Sequence, residues 1–457
     1  MARLAAWRRG VVLPESDRVL AAVMLASCLV VPLLFVTALE DTFALPKVTA
    51  LRLILIVALA LLTVGFLRGR RGLAVSTLDV LVLTFVALNV LAFAFSIDRR
   101  QSLMGERLQY QGLLTILTYV GFFYLAVRSL GEERRVRLLF ASVAAGGTGV
   151  AAYALVQKAG LDPIAWSYSP QERVFSSIGQ PNALAAYLVL AIPVSASLLA
   201  KSQPLARGVI AMCLGLMVAA LALTLSRGGY AGFIAVAAIV AIPLARSLRL
   251  NPRGLLYGLV PGVAAVIVVA ALVQPVRATA TEVWTRALSS TDTGDSSLQM
   301  HRDLWVVGAN IALDNPFLGT GQETYPELFP RYADSTLGEA RASIWSAYRP
   351  ESPHNVYLAI ASGAGFPTLV VYMAFLGSFS YFVLKALKGM RESEWRRIAL
   401  IALLAAVVGH AVTDMFMTAE VTGSWLFWLL MGAGVGLARA KPGEQAELGN
   451  ARVAVGT

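Results

Sequence analysis

Apolar residues run along the chain in blocks of about 17 to 30, separated by short polar segments, without the amphipathic spacing of a helix half-exposed to water. Blocks of that length match the hydrocarbon thickness of a bilayer. Twelve spans are predicted, at approximately 18–39, 47–67, 78–96, 111–127, 136–157, 182–200, 208–225, 229–245, 255–273, 354–384, 398–417 and 421–438. Between the ninth and tenth the pattern changes, and about eighty residues, 274–353, are mostly polar. Within them SSLQMHRDLWVVGANIAL reads as an amphipathic helix with Leu298, Arg302 and Trp305 close to one face. It stops at DNPFLGTGQETY, a turn punctuated by Pro and Gly. The expected fold class is all-α, a polytopic membrane protein of about twelve transmembrane helices with one large loop. Helices one to nine occupy 1–273, the loop 274–353, helices ten to twelve 354–438, and a short tail 439–457.

Charge orients this pattern. With the N-terminus inside, the segments expected in the cytoplasm hold 24 of the 38 Lys and Arg residues, which places both termini in the cytoplasm and the long loop outside. The net charge of +11 is mostly this bias, so it marks topology and gives no reason to expect nucleic acid. The first apolar block is long enough to span and lacks a small-residue cleavage site, so it is expected to be retained. The composition agrees, with 57% hydrophobic and 14% charged residues. Cys28 and Cys213 fall in separate spans and read as lipid-facing or packing residues, which leaves no disulfide framework or zinc motif. No internal repeat and no Gly-rich phosphate loop is found, and neither a metal nor a cofactor is expected.

Arginines that stand outside, against the topological rule, carry the first functional hint. They are Arg99, Arg100 and Arg107 in SIDRRQSLMGERLQYQG, Arg173 in QERVFSSIGQPNALAAYL, and Arg227 in TLSRGGYAGF. A forked, permanently charged guanidinium matches phosphate oxygens, so an anionic ligand at the membrane boundary is one reading. Snorkelling to lipid phosphate or pairing with a nearby acid is the other. Asp98 and Glu106 favour that second reading for Arg99, Arg100 and Arg107, whereas the tight Gly-Gly turn after Arg227 favours the first there. The long loop adds Arg302, whose amphipathic helix can point it back into a cavity. The loop aromatics Trp284, Trp305, Tyr325, Phe329, Tyr332, Trp345 and Tyr348 suit a carbohydrate surface or loop packing equally. Asp292 and Asp295 in TDTGD read as a flexible acidic turn.

The chain has three histidines. His301 adjoins Arg302 and reads as an exposed or capping ring. His410 and Asp414 lie four apart in one span, as an ion relay or a helix-helix hydrogen bond. His354 begins the tenth span in RPESPHNVYLAIASGAGFP, where it is either a base toward a substrate at the outer boundary or a solvated residue at a helix entrance.

RVFSSIGQPNALAAYLVLAIP, TLSRGGYAGF, HRDLWVVGANIALDNPFLGTGQETY and SPHNVYLAIASGAGFPTLVVY occur in the order seen in the O-antigen ligase and polymerase superfamily of membrane glycosyltransferases. Over roughly residues 170 to 380 the chain resembles that superfamily; the first five spans match in hydropathy and count only. The resemblance implies a GT-C-type fold and an inverting, metal-independent transfer from a glycan on undecaprenyl diphosphate. In the ligases the acceptor is the lipid A core oligosaccharide, and the site faces the periplasm from the inner membrane. Carried over by motif, His354 is the essential histidine, Arg227 the turn arginine, Arg302 the loop arginine, and Arg173 the arginine before the sixth span. The three arginines would bind the diphosphate. An O-antigen polymerase and a protein O-oligosaccharyltransferase share the architecture, and a lipid-linked glycan transporter is the reading from another class.

Overall fold

In a computed structural model the protein is described over residues 15–67, 76–247, 296–345, 349–388, 390 and 394–439. These residues are mostly helical, and no strand occurs among them. Helices stand at eleven of the expected spans: α1 (Glu15–Val30), α2 (Ala44–Leu67), α3 (Thr77–Ala94), α5 (Leu113–Ser129), α6 (Glu133–Lys158), α7 (Pro181–Ser197), α8 (Pro204–Leu223), α9 (Arg227–Ser247), α13 (Val356–Leu387), α14 (Trp395–Thr413) and α15 (Val421–Arg439). A short α4 (Arg99–Met104) lies between α3 and α5, and α10 (Ser296–Asp314), α11 (Tyr325–Leu337) and α12 (Glu339–Trp345) precede α13. Eight of the described helices are long and apolar enough to cross a membrane, and Arg18–Leu33, Leu113–Ser129 and Arg227–Val240 are shorter apolar stretches. The expected ninth span, 255–273, lies outside the described residues.

Two expected boundaries move for local reasons. The first span was expected to reach residue 39, but α1 stops at Val30 and a single 3-10 turn carries Pro32, which has no N–H to continue the ladder. The tenth begins two residues later than expected, because the Asn355 side chain accepts from the N–H groups of Tyr357 (3.0 Å) and Leu358 (3.1 Å) and caps α13. His354 therefore precedes the helix.

At the centre stand α7, α14 and α15, with α2 and α8 largely uncovered at the periphery. Small residues set the closest crossings, as expected where helices meet without a hydrophobic driving force. Gly432 and Gly436 bring α15 against the backbone of Phe123 and Val127 on α5, and Gly232 on α9 meets Gly409 and Thr413 on α14. Phe123, Phe375 and Trp428 pack ring against ring across α5, α13 and α15.

The element that positions the site is a break in α13. Gly365 has φ +83° and ψ 163°, a conformation open to glycine alone, and Pro367 has no N–H to give the Gly363 carbonyl. The freed groups are all paired by one external segment. Thr320 N–H donates to Ser362 O (3.0 Å), Gly321 N–H to Gly363 O (2.9 Å), and Phe366 N–H to Pro316 O (2.8 Å). The turn after α10 thus docks into the break. Its other side is held by the α3–α5 connection: Ile97 N–H donates to Thr320 O (3.0 Å) and the Ser102 hydroxyl to Gln322 O (3.0 Å).

Above the bundle, α10, α11 and α12 share a small core of Leu304, Val307, Ile311, Tyr325, Phe329, Ala333 and Trp345. Arg341 closes it with a forked ion pair to Asp303, at 2.7 Å from Nη2 and 3.1 Å from Nε.

Gly365→Ala is expected to lower the melting temperature of the detergent-solubilised protein by several degrees, because the left-handed backbone costs about 1–3 kcal/mol and a Cβ would strike the Phe317 carbonyl. Gly377→Ala in the same helix, where a Cβ meets nothing within 4 Å, serves as the control and should melt no lower than the parent. Equal melting of both variants would show that the break carries no strain.

Candidate functional site

His354 is presented by a backbone that no helix could provide. Its φ is +49°, a left-handed value uncommon outside glycine. Pro353 just before it lies over Gly308 of α10, where a Cβ would sit 3.1 Å from the proline ring. The His354 N–H donates to the Ser352 hydroxyl (3.1 Å), and Nδ1 lies 3.2 Å from the Thr418 hydroxyl. Ser352 and Thr418 join each other at 2.5 Å, so the ring is tied to the α14–α15 connection as well as to its own loop. A tautomer with the proton on Nδ1 donates to Thr418 and leaves Nε2 as a free base. Burial, reinforced by the His301 ring at 5.8 Å, lowers the His354 pKa from 6.5 to about 4. The imidazole is neutral at physiological pH.

The arginines arrive on separate elements. Arg173, half-buried in the loop before α7, donates through Nε to Thr224 O (2.9 Å) and through Nη2 to the Asn182 amide (3.0 Å). It thereby braces the turn that ends α8. Leu225 in that turn has φ +51°, and Arg227, half-buried, is the first residue of α9. The expected Gly-Gly turn is corrected here: Gly228 and Gly229 are helical, and the turn falls at residues 224–226. Gly228 lets Phe416 approach, since a Cβ there would be 2.9 Å from it, and the Phe416 ring lies 6.0 Å from that of Trp305. Arg302 sits one turn before Trp305 on α10, beside His301. Phe416 therefore links the Arg227 and Arg302 elements at the end of the bundle where His354 stands. Arg302 itself is exposed; the sequence expectation that it points into a cavity is not met, since the buried face of α10 is that of Leu304, Val307 and Ile311.

Next to His354 the bundle opens into a cavity of about 140 Å³, lined from α3, α5, α13, α14, α15 and the loops around residues 109–111 and 322–325. Ser352, Pro353 and Thr418, the direct neighbours of His354, form part of its wall. None of Arg173, Arg227 and Arg302 lines it. His410 and Asp414 do, with His410 Nε2 3.5 Å from Asp414 Oδ1 along one helix face.

Glu323, also on the wall, has φ +58° and accepts from the backbone N–H groups of Glu106 and of Gln111 (3.0 Å). Burial, with Glu106 and Glu351 nearby, outweighs those donors and raises its pKa from 4.5 to about 8. Sequence reading passed over Glu323, Gln109, Gln111, Asn89 and Gln322, because each is a lone polar residue and only the docked turn brings them together. An Asn inside the third apolar block was the one available signal.

Other candidates resolve to structure. Arg107 pairs with Glu40 in the open, and Arg99 and Arg100 are exposed on α4. Tyr325, Phe329 and Trp345 are packed in the α10–α12 core, which favours the packing reading for them. Trp284, Tyr348, Asp292 and Asp295 lie outside the described residues.

Residues 212–373 match the family described as O-Antigen ligase, and over that segment the match supports the resemblance to the O-antigen ligase and polymerase superfamily. The matched segment contains Arg227, Arg302, the docked turn, His354 and the α13 break. None of the curated proteins compared with the chain matches it.

A carboxyl whose folded pKa lies above its unfolded value stabilises the fold fully below the unfolded pKa of about 4.5 and ceases to do so as pH rises through about 8. Stability should therefore fall between pH 5 and pH 9, and Glu323→Gln, which stays uncharged, should flatten that fall. Melting curves across this range decide it; an unchanged slope would mean that Glu323 is ionised throughout.

Proposed function

We propose that the protein is an O-antigen ligase: an inverting, metal-independent glycosyltransferase that moves a glycan from undecaprenyl diphosphate to the lipid A core oligosaccharide. On this reading it works at the periplasmic face of the inner membrane, with a GT-C-type bundle and both termini in the cytoplasm. The observation that carries it is a neutral histidine, locked in place beside arginine-bearing elements at the loop end of a membrane bundle, inside the segment that matches the ligase family.

The chemistry follows from charge. The acceptor hydroxyl oxygen attacks the anomeric carbon, and the bond from that carbon to the phosphate oxygen breaks with its electron pair leaving on the lipid diphosphate. The hydroxyl proton passes to His354, which later gives it to water. Negative charge grows on the diphosphate as the bond breaks, and half-buried Arg227 and exposed Arg302 stabilise it. Arg173 adds its charge while holding the turn from which Arg227 emerges. The glycan is inverted because the acceptor enters opposite the leaving group. A polymerase or a protein O-oligosaccharyltransferase would use the same steps with another acceptor, and the family match supports this type of transfer in general.

Purified protein given undecaprenyl-diphosphate glycan and lipid A core, with EDTA present, should glycosylate the core. A product on a second lipid-linked glycan or on a protein would move the assignment to the sister activities. His354→Ala should abolish transfer without lowering the melting temperature, and near-parental transfer would remove His354 as the base. Because His354 is neutral down to about pH 4, initial rates should hold at pH 5.5, where an ordinary histidine is roughly nine-tenths protonated. A rate that falls with an apparent pKa near 6.5 would contradict the buried, neutral ring. Arg302→Ala should lower kcat by about 100-fold or more, with melting unchanged because the side chain is exposed.

A further inference from the structure

The reaction as described leaves the cavity beside His354 unused, although its lining is specific. Its floor is aromatic, from Phe85, Tyr119, Tyr372, Phe427 and Trp428. Its upper wall carries the amides of Asn89, Gln109, Gln111 and Gln322 and the carboxyl groups of Glu323 and Glu351. Among the described residues no Lys or Arg lines it, so a phosphate would meet carboxyl groups without a counter-charge. An alkyl chain would bury the amides without partners. An uncharged sugar suits both surfaces, because its C–H faces stack on rings while its hydroxyls donate to and accept from amides.

Two residues of the wall hold a buried polar atom that no described protein group satisfies. Gln322, 6% exposed, gives its Nε2 hydrogens to the Asn89 carbonyl (2.8 Å) and side-chain oxygen (3.0 Å), yet its Oε1 has no hydrogen-bond partner among the described residues. His410, 2% exposed, has Nδ1 in the same condition. A buried polar atom without a partner costs about 1–3 kcal/mol, and a side-chain rotation that brought either atom to a sugar hydroxyl would recover that cost. The other amides are committed: Gln109 Nε2 donates to Glu351 (3.0 Å), and Gln111 Oε1 accepts from Tyr119 (3.0 Å). These bonds fix the wall before a ligand arrives.

We infer that this cavity is a binding subsite for an uncharged sugar of the acceptor glycan, which anchors the glycan so that a hydroxyl of a neighbouring sugar, past the rim made by Ser352 and Thr418, reaches Nε2 of His354. The inference rests on the transfer reading above for what is acceptor and what is donor. The arginines that would hold the diphosphate lie on α9, α10 and the loop before α7, outside the cavity. Donor and acceptor then reach His354 from different sides, as an inverting displacement requires.

Two variants test it. Ala359→Phe fills the cavity from α13, and Gln322→Leu removes the free acceptor at similar volume. Rates are measured with acceptor varied at saturating donor and with donor varied at saturating acceptor, and donor hydrolysis is followed without acceptor. Both variants should raise the acceptor KM at least tenfold, with donor KM and hydrolysis within about twofold of the parent and melting retained. A rise in donor KM alone would assign the cavity to the donor, and unchanged constants in a folded variant would remove the subsite; either overturns the inference. A binding arm needs no turnover: core oligosaccharide freed of lipid and phosphate should raise the melting temperature of the parent and not of Ala359→Phe, whereas inorganic pyrophosphate should act on both alike. If the parent transfers nothing but binds the oligosaccharide, the ligase reading falls and the sugar subsite stands. If the parent does not bind it, the subsite falls whatever the transfer assay shows.

Discussion

Three backbone hydrogen bonds between the turn at 316–321 and the break in α13 hold the rest of the site in register. A helix inside a membrane cannot lose its ladder at one point unless the freed groups find partners in protein. Here Pro367 removes a donor, Gly365 redirects the chain, and the turn supplies exactly matched groups from outside the helix. The joint fixes the first nine residues of α13 as a separate rod. That rod carries the Asn355 cap, and the cap determines that His354 lies in a loop rather than in a helix.

The same joint forms a wall of the cavity. Gln322 and Glu323 follow directly on the docked residues, and the α3–α5 connection closes over them through Ile97, Ser102 and the Glu106 and Gln111 N–H groups. A proline and a glycine in one helix therefore support two neighbouring environments. One contains a buried neutral imidazole beside α10; the other is a chamber of amides and carboxyl groups over aromatic rings.

Hydropathy carried most of the architecture, because a membrane span must be apolar throughout and needs no partner to be recognised. The amphipathic α10 and the turn after it were equally legible, since helix period and Pro-Gly punctuation are local. His354, Arg227 and Arg302 were visible as cations or imidazole in positions where polar groups are scarce. What the sequence concealed was pairing. DNPFLGTGQETY and SPHNVYLAIASGAGFP read as two motifs, and they are two sides of one joint. The cavity escaped notice for the same reason, as its amides come from segments more than 200 residues apart, with Asn89 and Gln322 separated by 233. Arg302 was placed on the right helix, but which face of that helix is buried, that of Leu304, Val307 and Ile311, depends on packing with α11 and α12 that the sequence does not display.

That separation bears on how the chain is made. Ser102 meets Gln322 across 220 residues and Gln101 meets Glu323 across 222, so the α3–α5 connection is complete long before its partner is synthesised. Contacts this distant in sequence form late and slowly, since a long loop must close before they repay its entropy. Throughout that interval the helices can insert and associate, but neither the histidine's loop nor the chamber beside it has a wall to lean on. The histidine's loop and the chamber are therefore among the last parts of this fold that can close.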